Sequence, residues 1–157
     1  MVRKTKADEL DIVMSIYDDA RERMRVSGNH AQWINGYPSR ELILADINAG
    51  ISYVIEDAGD IVGVFTFIPG DEPTYKNIDG TWPDDNPYGT IHRIAGRTGS
   101  HGIADTALDF CLTKGIGIRI DTHADNAPML SWIAKRGFRY CGIIHVSDGS
   151  PRKAFQL

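Results

Sequence analysis

The residues best suited to chemistry gather in one stretch, Ile91-His92-Arg93-Ile94-Ala95-Gly96-Arg97-Thr98-Gly99-Ser100-His101-Gly102-Ile103-Ala104. It reads as a strand, a glycine-rich turn and the start of a helix. Backbone N–H groups at a helix N-terminus bind phosphate, assisted by the helix dipole, and glycines let the main chain approach such a ligand closely. The turn is not a Walker loop, because no Gly-Lys-Ser/Thr follows. Nor is it Gly-x-Gly-x-x-Gly with an acidic residue at the ribose distance. Strand alternation puts His92 on the face of Thr90 and Ile94. An unperturbed imidazole titrates at about 6.5, which suits proton transfer near neutrality. His92 is the first candidate for a general base, packing being its other reading, and His123 is the second. No pair among His92, His101, His123, Cys111 and Cys141 has the close spacing of a metal site, so no metal is expected.

The elements that must position these residues follow from periodicity. Leu10, Val13, Met14, Tyr17, Ala20 and Met24 recur at helical spacing. With Thr5 and Asp8 as a capping box, they predict a helix over 7–26. Ser39 opens a second helix that Gly50 closes. Ile51–Glu56 and Ile61–Ile68 read as strands joined by a hairpin at Asp57-Ala58-Gly59-Asp60. An irregular stretch from Pro69 to Gly89 follows, rich in proline and carrying Tyr75, Trp82 and Tyr88; a loop this long inside a compact domain is often functional. Thr90–Ala95 is a strand, and Ile103, Ala107, Phe110 and Cys111 mark a third helix. Ile116–Thr122 is a strand, and a fourth helix runs from Asn126 to Gly137. Phe138–Val146 and Lys153–Gln156 are the last strands. The order ααββ–βαβαββ implies an α/β fold with a mixed sheet and helical crossovers.

Composition bounds the function. At 157 residues the chain reads as a single domain over 1–157. A net charge of −4 argues against a general nucleic-acid binder. No apolar run approaches the ~20 residues that span a bilayer, so neither nucleic acid nor membrane is expected as a partner. The N-terminus lacks the apolar core of a secretory signal. Both cysteines sit in apolar surroundings and read as buried thiols in a reducing compartment, which makes the cytoplasm the expected location.

The second half resembles the GNAT superfamily of N-acetyltransferases. Gly99-Ser100-His101-Gly102-Ile103-Ala104 occupies the frame of that family's pyrophosphate loop. Asp125-Asn126 opens a helix ending Lys135-Arg136-Gly137-Phe138, with Gly-Phe eleven and twelve residues after the Asn, as in the family signature. Trp33, Gly36-Tyr37-Pro38, the run Tyr88 to Ala95 and Tyr140-Cys141-Gly142-Ile143-Ile144 also look like a bacterial branch of unassigned substrate. There are departures. Gly99 replaces the usual Arg or Gln, Asp105 puts a carboxylate beside the loop, and the acidic position on the strand is Thr90. The position often held by a Tyr acid is Ile133.

The resemblance implies a central splayed sheet flanked by helices, and acetyl-CoA as cosubstrate. It also implies direct attack by a primary amine, on a small molecule or a peptide, in a ternary complex. Ile94, Ala95, Gly99, Ser100, His101, Gly102, Ile103, Ala104 and Asn126 would then hold the cofactor. A backbone N–H near Ile94–Gly96 would stabilise the oxyanion. His92 and His123 are the candidate bases, and Tyr140, with Cys141 beside it, the candidate donor to the leaving thiolate. Trp33, Tyr37, Tyr75, Trp82 and Tyr88 are expected to line an aromatic acceptor pocket, which Asp84 and Asp85 would make attractive to a cation. Members of the superfamily are often dimers, so a homodimer is an assembly the resemblance allows, and the sequence alone does not fix it. The replacement at Ile133 keeps a second reading open, a CoA-binding or acyl-CoA-sensing protein on the same fold that does not catalyse. A metal protein and a purely structural protein are the remaining alternatives.

Overall fold

Eight strands form one open mixed sheet in the computed structural model, which describes residues 1–157. In chain order they are β1 (Val2–Lys4), β2 (Ser52–Asp57), β3 (Asp60–Pro69), β4 (Asp79–Gly80), β5 (Tyr88–Gly96), β6 (Gly117–Thr122), β7 (Arg139–His145) and β8 (Pro151–Gln156). Across the sheet the order is β1-β2-β3-β5-β6-β8-β7-β4. Every neighbouring pair is antiparallel except β5 with β6, the pair joined by a helical crossover. The helices are α1 (Leu10–Val26), α2 (Arg40–Asn48), α3 (Ile103–Leu112) and α4 (Ala127–Lys135). The expected α/β order holds, and two short strands, β1 and β4, are added at the margins.

Local chemistry accounts for the helix ends. The Ser39 hydroxyl accepts the Leu42 N–H at 3.1 Å and starts α2, and the Asn126 side chain accepts the Met129 N–H at 3.3 Å and starts α4. Before α1 the expected Thr5–Asp8 box does not form. A 3-10 turn, Ala7–Glu9, leads into the helix, and the Glu9 carboxylate accepts the Lys6 N–H at 2.8 Å. Thr5 instead shares a buried hydrogen bond with Ser52 at 2.8 Å. It fastens the end of β1 to β2.

The two faces of the sheet carry different cores. Helices α1 and α2 lie on one face, where Val13, Ile16, Tyr17 and Ile43 are fully buried against Val54 and Val64. Helices α3 and α4 lie on the other, where Ala107, Leu108, Cys111 and Ile133 pack on Phe65, Phe67, Ile91, Ile118 and Ile120. Each fully buried Val, Leu, Ile or Phe among them contributes about 1.5–3 kcal/mol. A third core, Tyr75, Tyr88, Ile144 and Ala154, continues the α1 face beyond β6.

Two irregularities at the centre of the sheet build the site. First, β5 and β6 pair only over Tyr88–Thr90 and Gly117–Arg119. Beyond Thr90 the two strands part, although β5 runs on to Gly96 and β6 to Thr122. Second, the β3–β5 ladder slips. Val64 faces Ala95 and Thr66 faces His92, so Phe65 alone stands opposite Arg93 and Ile94. This is a β-bulge, which leaves one backbone unit out of the ladder. Arg93 sits there at φ 52, a conformation costing a non-glycine residue roughly 1–3 kcal/mol.

Candidate active site

The bulge is held by contacts from three elements. The Arg93 guanidinium donates to both oxygens of Asp46 on α2, at 2.9 and 3.0 Å, and to the Tyr37 hydroxyl at 3.1 Å. Thr66 on β3 donates to the same Asp46 carboxylate at 3.0 Å. The Tyr17 hydroxyl on α1 donates to the Arg93 carbonyl at 2.8 Å. Asp46 is 4% exposed, so the ion pair is shielded from water and over-determines the strained residue.

A cavity of about 510 Å³ opens where β5 and β6 part. Residues from both sheet faces line it. His92 and Asp121 come from the α1 face, and Ile91 and Ile120 from the α3 face. The opening therefore passes through the sheet between the two strands. Trp33 and Tyr37, from the loop between α1 and α2, line it as expected. Trp33 is braced edge-on against Tyr17, with centroids 5.6 Å apart.

His92 has a partner that sequence reasoning missed. Its Nε2 lies 3.3 Å from Glu72 Oε2. Glu72 is itself fixed: Thr74 donates to its other oxygen through both N–H and hydroxyl, and its own N–H donates to the Tyr88 hydroxyl at 2.8 Å. The hydrogen bond from His92 holds the Glu72 carboxyl below the ordinary carboxylate range, against the opposing effect of burial. Beside them, the Tyr75 hydroxyl donates to Asp121 Oδ1 at 2.6 Å. The only sequence signal for Glu72 was its place before Pro73 and Thr74, an N-cap pattern for a short turn.

The glycine turn fits an anion. The N–H groups of Gly99, His101, Gly102, Ile103 and Ala104 have no acceptor in the protein. Gly102 starts α3 at φ 72, in the left-handed region. The turn seats closely because Gly96 lacks a side chain; a Cβ there would meet Ile103 Cγ1 and Ser100 Oγ at 2.8 Å. Ser100 closes the turn on itself, its N–H and hydroxyl both donating to the Arg97 carbonyl. Asp105 points away to α4, accepting from Trp132 at 3.0 Å and Arg136 at 2.6 Å. Asn126 lines the cavity, and its amide donates to Gln32 at 3.2 Å, tying α4 to the loop that carries Trp33.

Other expected site residues lie elsewhere. Tyr75 and Tyr88 are buried, and with Trp82 they stack beside the cavity without lining it. The Arg119 guanidinium covers the rings of Trp82 and Tyr88 at 4.0 and 3.8 Å. His123 turns to its own loop, where Nδ1 accepts the Asp125 N–H at 3.0 Å, and it is not among the lining residues. Tyr140 is 54% exposed and packs edge-on against Phe155, outside the cavity. Cys141 is buried on β7, and burial pushes its thiol up. Ile133 is fully buried in the α3–α4 core, so that position offers no acid.

Comparison with solved structures decides the family. An acetyltransferase of the GNAT family from Streptococcus agalactiae 2603 superimposes with a TM-score of 0.88 at 34% identity, over 99% of this chain and 93% of that one. The chain belongs to the GNAT family. A GNAT acetyltransferase from Listeria monocytogenes 4b F2365 shares the fold at 19% identity (TM-score 0.73, 100% of this chain and 93% of that one). So does a GNAT-like decarboxylase in complex with isobutyryl-CoA, at 15% identity (TM-score 0.68, 99% and 97%). No protein-family model matches the sequence, and no curated protein does. No helix of this GNAT protein is long and apolar enough to cross a membrane.

Proposed function

We propose that the protein is an N-acetyltransferase that moves the acetyl group of acetyl-CoA onto the nitrogen of an amine. One observation carries the reading. The cavity passes through the sheet where β5 and β6 part, with the His92–Glu72 pair on the α1 face and the open N–H groups of the α3 turn on the other. Acetyl-CoA, when bound, supplies an activated acetyl thioester. The N–H groups of Gly99, His101, Gly102, Ile103 and Ala104 suit its pyrophosphate. The bulge at Arg93–Ile94 leaves a backbone unit out of the ladder beside the gap, and an N–H there would stabilise negative charge developing on a thioester oxygen.

His92 takes a proton from the substrate ammonium, directly or through a water, leaving the neutral amine to attack, and Glu72 fixes the ring. The C–N bond forms, the C–S bond breaks, and the thiolate leaves to be protonated. Overall, an ammonium and a thioester become an amide, a thiol and one released proton. With Ile133 buried and Tyr140 outside the cavity, the thiolate takes its proton from solvent.

Two measurements test this. Acetyl-CoA at millimolar concentration should raise the melting temperature, and a panel of small amines, amino acids and peptide N-termini should contain at least one that releases free thiol. Absence of stabilisation by the cofactor would reject the reading. Tight binding with no thiol released on any amine would support a non-catalytic CoA-binding protein instead.

A further inference from the structure

Arg152 lines the cavity, and the proposed reaction does not use it. It is the second residue of β8 and is 8% exposed. Its only hydrogen bonds run from Nη1, to the Ser150 hydroxyl and the Pro151 carbonyl, both at 2.9 Å. Nε and Nη2 donate to no protein group, and no carboxylate lies within ion-pair distance. The nearest acid on its own loop, Asp148, turns one oxygen to Ser150 instead. Asp148, also at the cavity wall, is near enough to feel the charge of Arg152 without bonding to it.

Across the sheet stands the opposite charge. Asp121 pairs with Ala154 in the β6–β8 ladder, and Arg152 is two residues from Ala154 along β8. Asp121 and Arg152 therefore share the α1 face as diagonal neighbours, about 7–8 Å apart by ladder geometry. They make no ion pair with each other. Asp121 keeps one oxygen without a protein partner, its other being held by Tyr75. Thr122 Oγ1, also at the cavity wall, is buried with no partner at all.

We propose that the acceptor is a zwitterion, an amino acid or close analogue. Its carboxylate docks on Arg152 while its ammonium faces Asp121 and the His92–Glu72 pair. The proposal rests on the acetyltransferase reading and names its substrate class. Separated, unbridged opposite charges in one cavity match a molecule carrying both. An arginine with two free donors recognises a carboxylate through paired N–H···O bonds. The cofactor's phosphates are the other source of anion. They belong with the α3 turn, because α3 packs on the face of Phe65, Ile91 and Ile118 whereas Asp121 and Arg152 lie on the other face of the sheet.

Thiol release from acetyl-CoA is measured with the standard L-amino acids, each paired with its carboxamide, on the wild-type protein and on Arg152→Gln and Arg152→Lys. Melting temperatures of the variants establish that they are folded. The expected result is an amino acid preferred over its amide by at least about tenfold in kcat/KM. That preference should be lost in Arg152→Gln and partly kept in Arg152→Lys, with KM for acetyl-CoA unchanged. Turnover of amides or other carboxylate-free amines at least as well as acids would overturn the proposal, as would a preference that survives Arg152→Gln. A raised KM for acetyl-CoA with acceptor preference intact assigns the guanidinium to a cofactor phosphate and also overturns it. If no amine of any kind releases thiol, the transferase reading itself falls. The carboxylate site is then judged by thermal stabilisation with N-acetyl-L-amino acids plus CoA, which must appear in the wild type and vanish in Arg152→Gln.

Discussion

The Tyr17 hydroxyl donates to the Arg93 carbonyl at 2.8 Å, linking the first helix to the bulge of the central strand. Removing it in Tyr17→Phe leaves the ring packed and costs about 1 kcal/mol of stability. The larger effect falls on rate, because in the proposed mechanism the bulge supplies the N–H that stabilises the oxyanion. We expect kcat to fall about tenfold with KM for acetyl-CoA nearly unchanged. This is less than the ~10²–10³ lost when an oxyanion donor is removed outright. Steady-state kinetics beside a denaturant melt separates the two effects.

Asp46→Ala should be far more damaging to the fold. It strips the carboxylate from a buried guanidinium and from the Thr66 hydroxyl at once, a loss of about 3–5 kcal/mol. Asp46→Asn keeps an acceptor and should fall between this variant and the wild type. Denaturant midpoints measured on all three check the order.

The proton-transfer pair predicts two different pH signatures. His92→Ala should lower kcat/KM and remove the acid limb of its pH profile; an unchanged limb would assign the base elsewhere. Glu72 acts on stability as well. Its carboxyl is held below the ordinary value by His92. Its contribution is therefore present above about pH 4.3, the unfolded carboxylate value. It is lost as pH falls through the lower folded value. The melting-temperature gap between wild type and Glu72→Gln should be open at pH 7 and close below about pH 4.

Gly96→Ala probes the anion turn. The added carbon would press on Ile103 and Ser100, shifting the start of α3. KM for acetyl-CoA should rise several-fold while preference among amines stays as in the wild type. Gly102→Ala, strained by about 1–2 kcal/mol at a left-handed φ, should show the same kinetic pattern with a lower melting temperature.

Burial pushes the Cys111 thiol up to about 12. An aromatic disulfide reagent should therefore leave it unlabelled in the native protein and label it on unfolding. Stability tied to this group is intact below the ordinary thiol value of about 8.5 and declines as pH rises toward about 12. Cys111→Ala should make the alkaline fall in melting temperature shallower.

What was legible in the sequence was what is local. The glycine turn, the Asn126 cap and the helix period of α1 each announce themselves within a few residues. Glu72, Asp121 and Arg152 are brought to one cavity from distant parts of the chain; Glu72 carries only the mark of a short-turn N-cap, and nothing near Asp121 or Arg152 in sequence marks them. The aromatic loop misled for a physical reason. Tyr75, Trp82 and Tyr88 are large enough to bury beside Arg119, and burial takes them out of the cavity wall. Tyr140 and His123 sit at suitable places along the chain, but their side chains leave the site. Strands β1 and β4 were not expected because two or three residues show no alternation.

Those two short strands also limit what another chain could pair with. They are the margins of the sheet. A long flat margin is a template on which another chain adds itself strand by strand. Here the outermost strands are only Val2–Lys4, with Arg3 and Lys4 charged, and Asp79–Gly80, which covers β7 only at Gly142 and Ile143. Neither is long enough to seed a continuous sheet between molecules. Sheet extension by a further chain adding onto β1 or β4 is disfavoured at both ends.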